Sequence, residues 1–140
     1  MSSEKEILYD KEITLVSEVG EVPGRLVAEF SGADYTVRIA HGSHTTAHTD
    51  WNLFAALSKV RRDLEPQGVM PALEGACLDV YPSRMALEMG GGRRAYRWSH
   101  SGRPETVDIF ASVPSRDRWR LASVNEQEAA NKQRRGRKNG

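Results

Sequence analysis

The stretch Thr49-Asp50-Trp51-Asn52-Leu53-Phe54-Ala55-Ala56-Leu57-Ser58-Lys59-Val60-Arg61-Arg62-Asp63-Leu64-Glu65-Pro66-Gln67-Gly68 decides how the rest of the chain folds. Trp51, Phe54, Leu57 and Leu64 recur near helical spacing, and Leu53 and Val60 widen the same apolar stripe. Lys59, Arg61, Arg62 and Glu65 are read as lying off it. Thr49 or Asp50 caps the first turn by accepting bonds from its free amides. Asp63 stands four residues after Lys59, a helix-compatible ion pair. Pro66 and Gly68 end the element. A helix with one apolar face needs a flat apolar partner to cover it.

That partner is sought upstream. Ile7, Tyr9, Ile13, Leu15 and Val19 give a broken period-two pattern over residues 6–19. Glu21-Val22-Pro23-Gly24 carries turn chemistry. Leu26, Ala28 and Phe30 then alternate, Ser31-Gly32-Ala33-Asp34 turns, and Tyr35, Val37 and Ile39 alternate again. The pattern predicts an antiparallel meander of two or three strands. A loop rich in His, Ser, Thr and Gly is predicted over residues 41–49.

Downstream, residues 75–81 predict a strand, and Pro82-Ser83 opens a short helix through Met89 that three glycines stop. Residues 93–98 and 106–110 form a predicted hairpin around Ser101-Gly102-Arg103-Pro104. Ser123 and Glu126 stand at capping-box spacing, so residues 124–134 are predicted as a final helix. The resulting fold class is α+β: a single antiparallel or mixed sheet with one long helix packed on one face, in two layers. Residues 1–122 form that domain, and residues 123–140 form a C-terminal helix and flexible basic tail.

Of 140 residues, 39% are hydrophobic and 28% charged, which suits one soluble domain with a real core. No apolar run approaches the roughly 20 residues a membrane helix needs. The polar start Met1-Ser2-Ser3-Glu4 has no secretory apolar segment, so a cytoplasmic location is expected. Cys77 is the only cysteine, which excludes an intrachain disulfide framework. The net charge of +1 hides an acidic start and a basic end: Lys132, Arg134, Arg135, Arg137 and Lys138 follow residue 128 without an acid. Such a tail offers salt-sensitive attraction to nucleic acid, or is a solvated terminus.

The candidate site lies in Gly90-Gly91-Gly92-Arg93-Arg94, flanked by Arg84 and Arg97. Successive backbone amides can cradle anionic oxygens, and arginine adds a bidentate fork. The alternative is a structural turn that lets Met85 and Met89 pack under the sheet. No lysine followed by Ser or Thr succeeds the glycines, so this is not a nucleotide loop. His41, His44 and His48 are a metal site, a surface cluster or a binding loop; no cofactor is expected. Ser83 reads as an N-cap, Cys77 as a small buried side chain, and no nucleophile has assembled partners. Asp79, Glu88, Glu105 and Asp108 read as ion-pair partners of Arg84, Arg93 and Arg97, or as a base at the glycine loop.

Tyr81-Pro82-Ser83-x-Met85, Met89-Gly90-Gly91-Gly92, Ala95-Tyr96 and Val107-Asp108-Ile109-Phe110 together resemble a group of small uncharacterised bacterial proteins, over residues 53–110. The resemblance implies a single-domain cytoplasmic chain. Some similar short proteins sit beside toxin or secretion systems as immunity or accessory factors. It carries no catalytic residue, and Arg84 departs from the pattern where a small residue is expected. The leading expectation is therefore a non-enzymatic protein-binding module that uses Arg84, Arg93, Arg94 and Arg97 with the glycines. The alternatives are a small enzyme for an anionic substrate, with Asp79 or Asp108 as base, and weak nucleic-acid binding through the tail.

Overall fold

Four consecutive strands build the floor on which the decisive helix rests. In the computed structural model, which describes residues 5–99 and 102–139 with side chains through residue 136, β1 spans Glu6–Ser17, β2 Gly20–Phe30, β3 Tyr35–His41 and β4 His44–Asp50. Together with the short β5, Met70–Pro71, they form an antiparallel sheet in the order β4-β3-β2-β1-β5. Alternation sends Ile13, Leu15, Leu26, Ala28, Val37 and Ile39 to one face, all buried. The helix α1, Leu53–Leu64, covers that face with Leu53, Leu57, Val60 and Leu64.

The expected turn at Glu21-Val22-Pro23-Gly24 is instead continuous strand. The chain reverses at Glu18-Val19, and Ser17 pairs with Gly20. Pro23 stands opposite Thr14 on a part of β2 that projects past its last pair with β3, Arg25–Ala40, so one flank has no ladder to complete. Gly24 is required there by close approach: a Cβ would sit 3.0 Å from Leu15 Cδ1 and 3.1 Å from Ala40 O.

The expected loop over residues 41–49 is also a strand. Only Gly42 and Ser43 turn; Gly42 has φ 55° while among the described residues none other than glycine has positive φ, the pattern of a type II′ hairpin. The cap of α1 moves accordingly. Asn52 Oδ1, not Thr49 or Asp50, accepts the Ala55 amide at 2.8 Å, because Asp50 still belongs to β4. Trp51 precedes the helix and is 53% exposed, off the apolar stripe. Lys59 pairs with Asp50 at 2.9 Å rather than with Asp63.

A single sheet does not describe the molecule. Val80–Tyr81 (β6), Arg94–Arg97 (β7) and Glu105–Asp108 (β8) make a second, three-stranded antiparallel sheet. It does not extend the first because β5 ends that sheet: it has two residues, and Pro71 lacks a donor. The strand predicted over residues 75–81 is largely a 3-10 turn, Glu74–Ala76, followed by the two residues of β6. Phe110 stacks against Tyr9 at 4.8 Å and Tyr81 against Phe54 at 5.0 Å, fastening the second sheet to the first layer and to α1. Two further helices follow their expected caps, α2 over Arg84–Gly90 and α3 over Val124–Asn139. Ser123 and Glu126 bond reciprocally, Ser123 N–H to Glu126 Oε1 at 2.9 Å and Glu126 N–H to Ser123 Oγ at 3.1 Å.

Candidate functional site

The glycine segment is first a helix stop. Ser83 Oγ accepts the Ala86 amide at 3.0 Å and starts α2. Gly91 at φ 67° and Gly92 at φ 76° end it in the left-handed region, which glycine enters without a Cβ penalty. The Gly91 amide is spent on Ala86 O, the Gly92 amide on the same carbonyl at 3.0 Å, and the Arg93 amide on Gly90 O at 3.4 Å. These donors are therefore internal to the fold, which corrects the reading of the loop as lined with free amides. The reason is the α-helix itself: its last carbonyls need partners, and the next residues supply them.

The segment also docks on α1. Leu53 N–H donates to Gly91 O at 2.6 Å, satisfying one amide of the first turn. A Cβ on Gly91 would collide with the Tyr35 hydroxyl, and one on Gly92 would sit 3.0 Å from Asn52 Oδ1 and 3.1 Å from Phe54 N. Gly91 and Gly92 are buried, and Gly90 is exposed.

The arginines separate by direction. Arg84 is exposed and sits 3.8 Å from Glu88 across one helical turn. Arg94 is exposed, donates to Thr106 O at 3.3 Å, and lines a depression of about 90 Å³ with Ser83, Ala86, Ala95, Tyr96 and Thr106. Arg93 is exposed and lies over the Tyr9 ring at 5.5 Å. Arg97 is turned inward to Glu74 at 3.0 Å and to Glu105 at 3.1 Å. Neither Arg93 nor Arg94 closes an ion pair with a carboxylate among the described residues.

Met85 and Met89 do not pack under the sheet. They are 68% and 82% exposed, and their spacing of four puts them on one face of α2. That helix is too short to bury all its sides; its inward side is taken by Leu87, which packs on the core.

The acids are committed elsewhere. Asp79 accepts both Nε and Nη2 of Arg120, at 3.0 Å and 2.9 Å. Asp108 takes the Tyr9 hydroxyl and, at 2.7 Å, the Phe110 amide. Burial and then the Asp108 carboxylate push the Tyr9 phenol up to about 12. His41 stacks on His44 at 5.5 Å across the hairpin, while His48 Nε2 and Thr46 Oγ1 reach Asp63 at 2.6 Å and 2.7 Å. Those two hydrogen bonds hold the Asp63 carboxyl below its usual range. Cys77 is buried, and burial pushes its thiol up to about 12. In α3, Lys132 and Arg135 are exposed, and Arg134 lies over the Trp98 ring at 5.8 Å. Arg137 and Lys138 have side chains outside the described residues.

A polar interior escaped the sequence reading. Glu74 is buried between Arg97 and Arg120, with Arg120 Nη2 at 2.7 Å. Burial alone would lower the Arg120 pKa, but Glu74 and Asp79 carry it above the ordinary arginine value. Arg61, read as off the stripe, is only 1% exposed. It donates to Gln127 Oε1 at 2.6 Å, Ala122 O at 2.9 Å and Gly75 O at 3.2 Å. Its position was recoverable, since Leu57, Arg61 and Leu64 follow the same four-three spacing as the stripe. Among the described residues no helix is long and apolar enough to cross a membrane. No family model matches this chain, and neither does any curated protein.

Proposed function

We propose that the chain is a non-enzymatic protein-binding module, in the manner of a bacterial immunity or accessory factor, whose contact surface is the outer face of α2 with the start of β7. The observation that supports it is the pair Met85 and Met89, solvent-exposed on one side of a helix capped at both ends. Methionine is unbranched and polarizable, and it is enriched where one surface must adapt to a partner. Arg84, Arg93 and Arg94 border it and supply charge for an acidic counterpart. The glycines hold α2 and β7 in place; they do not touch the partner through their amides. Gly90, Gly91 and Gly92 thus belong to the site as its frame, and Arg97 as an internal brace.

The test is affinity capture from cells of the source organism with wild-type protein, Met85→Glu/Met89→Glu and Arg93→Glu/Arg94→Glu. A captured protein is then purified and its dissociation constant measured with each variant. Loss of about 2 kcal/mol or more, some thirtyfold, is expected for either pair. A partner held equally by all three chains overturns the assignment of this face.

A further inference from the structure

The outer edge of β4 leads to a second proposal, independent of the α2 face. β4 ends the five-stranded sheet, and no strand among the described residues pairs with its far side. It is seven residues long and matches β3 without a bulge, from His41–His44 to Tyr35–Asp50. A two-residue hairpin closes on a pair that exchanges both backbone bonds, so His44, Thr46, His48 and Asp50 bond inward to β3. Thr45, Ala47 and Thr49 therefore turn their N–H and C=O groups outward, and all three residues are exposed. Natural edges are usually blocked by lysine, proline or a bulge. Here β5, at the opposite edge, is short and contains Pro71, whereas β4 has none of these devices.

The sequence His44-Thr45-Thr46-Ala47-His48-Thr49-Asp50 is also complementary to itself when run antiparallel about Ala47. That register sets Ala47 against Ala47, Thr45 against Thr49 and His44 against Asp50 of the second copy. Every outward-bonding residue then meets another, giving about six interchain hydrogen bonds, and shifting the register by two residues loses some of them. Burial favours the neutral Asp50 carboxyl, but the Lys59 ammonium and the Trp51 amide together outweigh it and hold the group below its usual range, so an ionised Asp50 faces His44. Because α1 packs over β3 and β4, the two copies of α1 come alongside each other across the axis. We infer that two copies of this chain join through β4, antiparallel about a two-fold axis at Ala47, into one continuous ten-stranded sheet.

The register predicts opposite outcomes for two variants of equal bulk. Thr45→Lys/Thr49→Lys places lysine against lysine at both ends of the seam, whereas Thr45→Lys/Thr49→Glu places lysine against glutamate. Sedimentation equilibrium of the full chain should show twice the 15.6 kDa chain mass for wild type. The dissociation constant should rise about tenfold or more for the first variant and return toward wild type for the second. Far-UV circular dichroism confirms that both variants fold; both substituted sites are exposed. A monomeric wild type overturns the proposal, as does a dimer that both variants leave intact. Two folded variants that are equally monomeric overturn the register.

Discussion

Arg61 reaches the interior of the protein from α1 with three oxygen acceptors and no carboxylate among them. Burial lowers its pKa to about 10, so the guanidinium is charged at neutral pH; oriented dipoles meet its hydrogen bonds, and Glu65 and Glu128 favour the charge without touching it. Arg61→Ala should lower stability by about 3–5 kcal/mol, since it opens a cavity and strands the Gln127 and Ala122 oxygens. Arg61→Met fills the space and should cost less; urea denaturation of the two variants checks the ranking. Cys77 gives a pH prediction. Its buried thiol titrates at about 12, against 9.0 for the exposed group, so between pH 9 and 10 the unfolded chain holds fewer protons. Stability should therefore fall over that interval by about 1 kcal/mol, and Cys77→Ala should remove the slope. Within that interval the Tyr9 and Arg61 contributions have opposite signs and offset each other. Urea melts at pH 8, 9 and 10 decide; a flat or rising wild-type profile contradicts the assignment.

At the level of elements, the three glycines are not equivalent. Gly91→Ala forces a Cβ into the Tyr35 hydroxyl at φ 67° and should cost about 1–3 kcal/mol. Gly90→Ala meets nothing within 4 Å and should be neutral to within about 0.5 kcal/mol. Thermal melts of the two variants separate these outcomes, and equal melting temperatures would deny the segment its role as a docked helix stop. Legibility divides along the same lines. α1 and α2 were readable because their signals are local: apolar spacing, a serine cap, a glycine stop. β4 was hidden because His44, Thr46, His48 and Asp50 alternate with Thr45, Ala47 and Thr49, leaving polar residues on both sides and no period-two contrast. Pro23-Gly24 misled for the opposite reason, since its turn chemistry is overruled by pairing with Thr14 and Ile13 on β1. At the candidate site, Arg84, Arg93 and Arg94 are exposed. The inward turn of Arg97 depends on Glu74, some twenty residues away, and spacing cannot show it.

On the scale of the whole molecule, two sheets and α1 meet around residues contributed by distant parts of the chain. Gln127 is the clearest case: its Nε2 lies 2.9 Å from the carbonyls of Gly75, Cys77 and Val80, and its Oε1 receives Arg61. The first turn of α3 is therefore part of the core, while residues 128–136 are half-buried or exposed. Truncation after Ala122 should destabilise the protein by about 3 kcal/mol or more, because Arg61 and three carbonyls each lose a buried hydrogen bond. Truncation after Ala130 keeps Gln127 and should cost about 1 kcal/mol, mainly the Arg134–Trp98 contact. Denaturation midpoints of the two truncations test this, and similar losses would refute it. The second sheet was not legible for a related reason: which strands share a sheet is set by contacts between segments far apart in sequence, and local pattern is silent on that. The Arg61–Gln127 contact spans 66 positions. A nascent chain thus carries this guanidinium short of its Gln127 acceptor until the start of α3 has been made, so the polar interior closes late in folding.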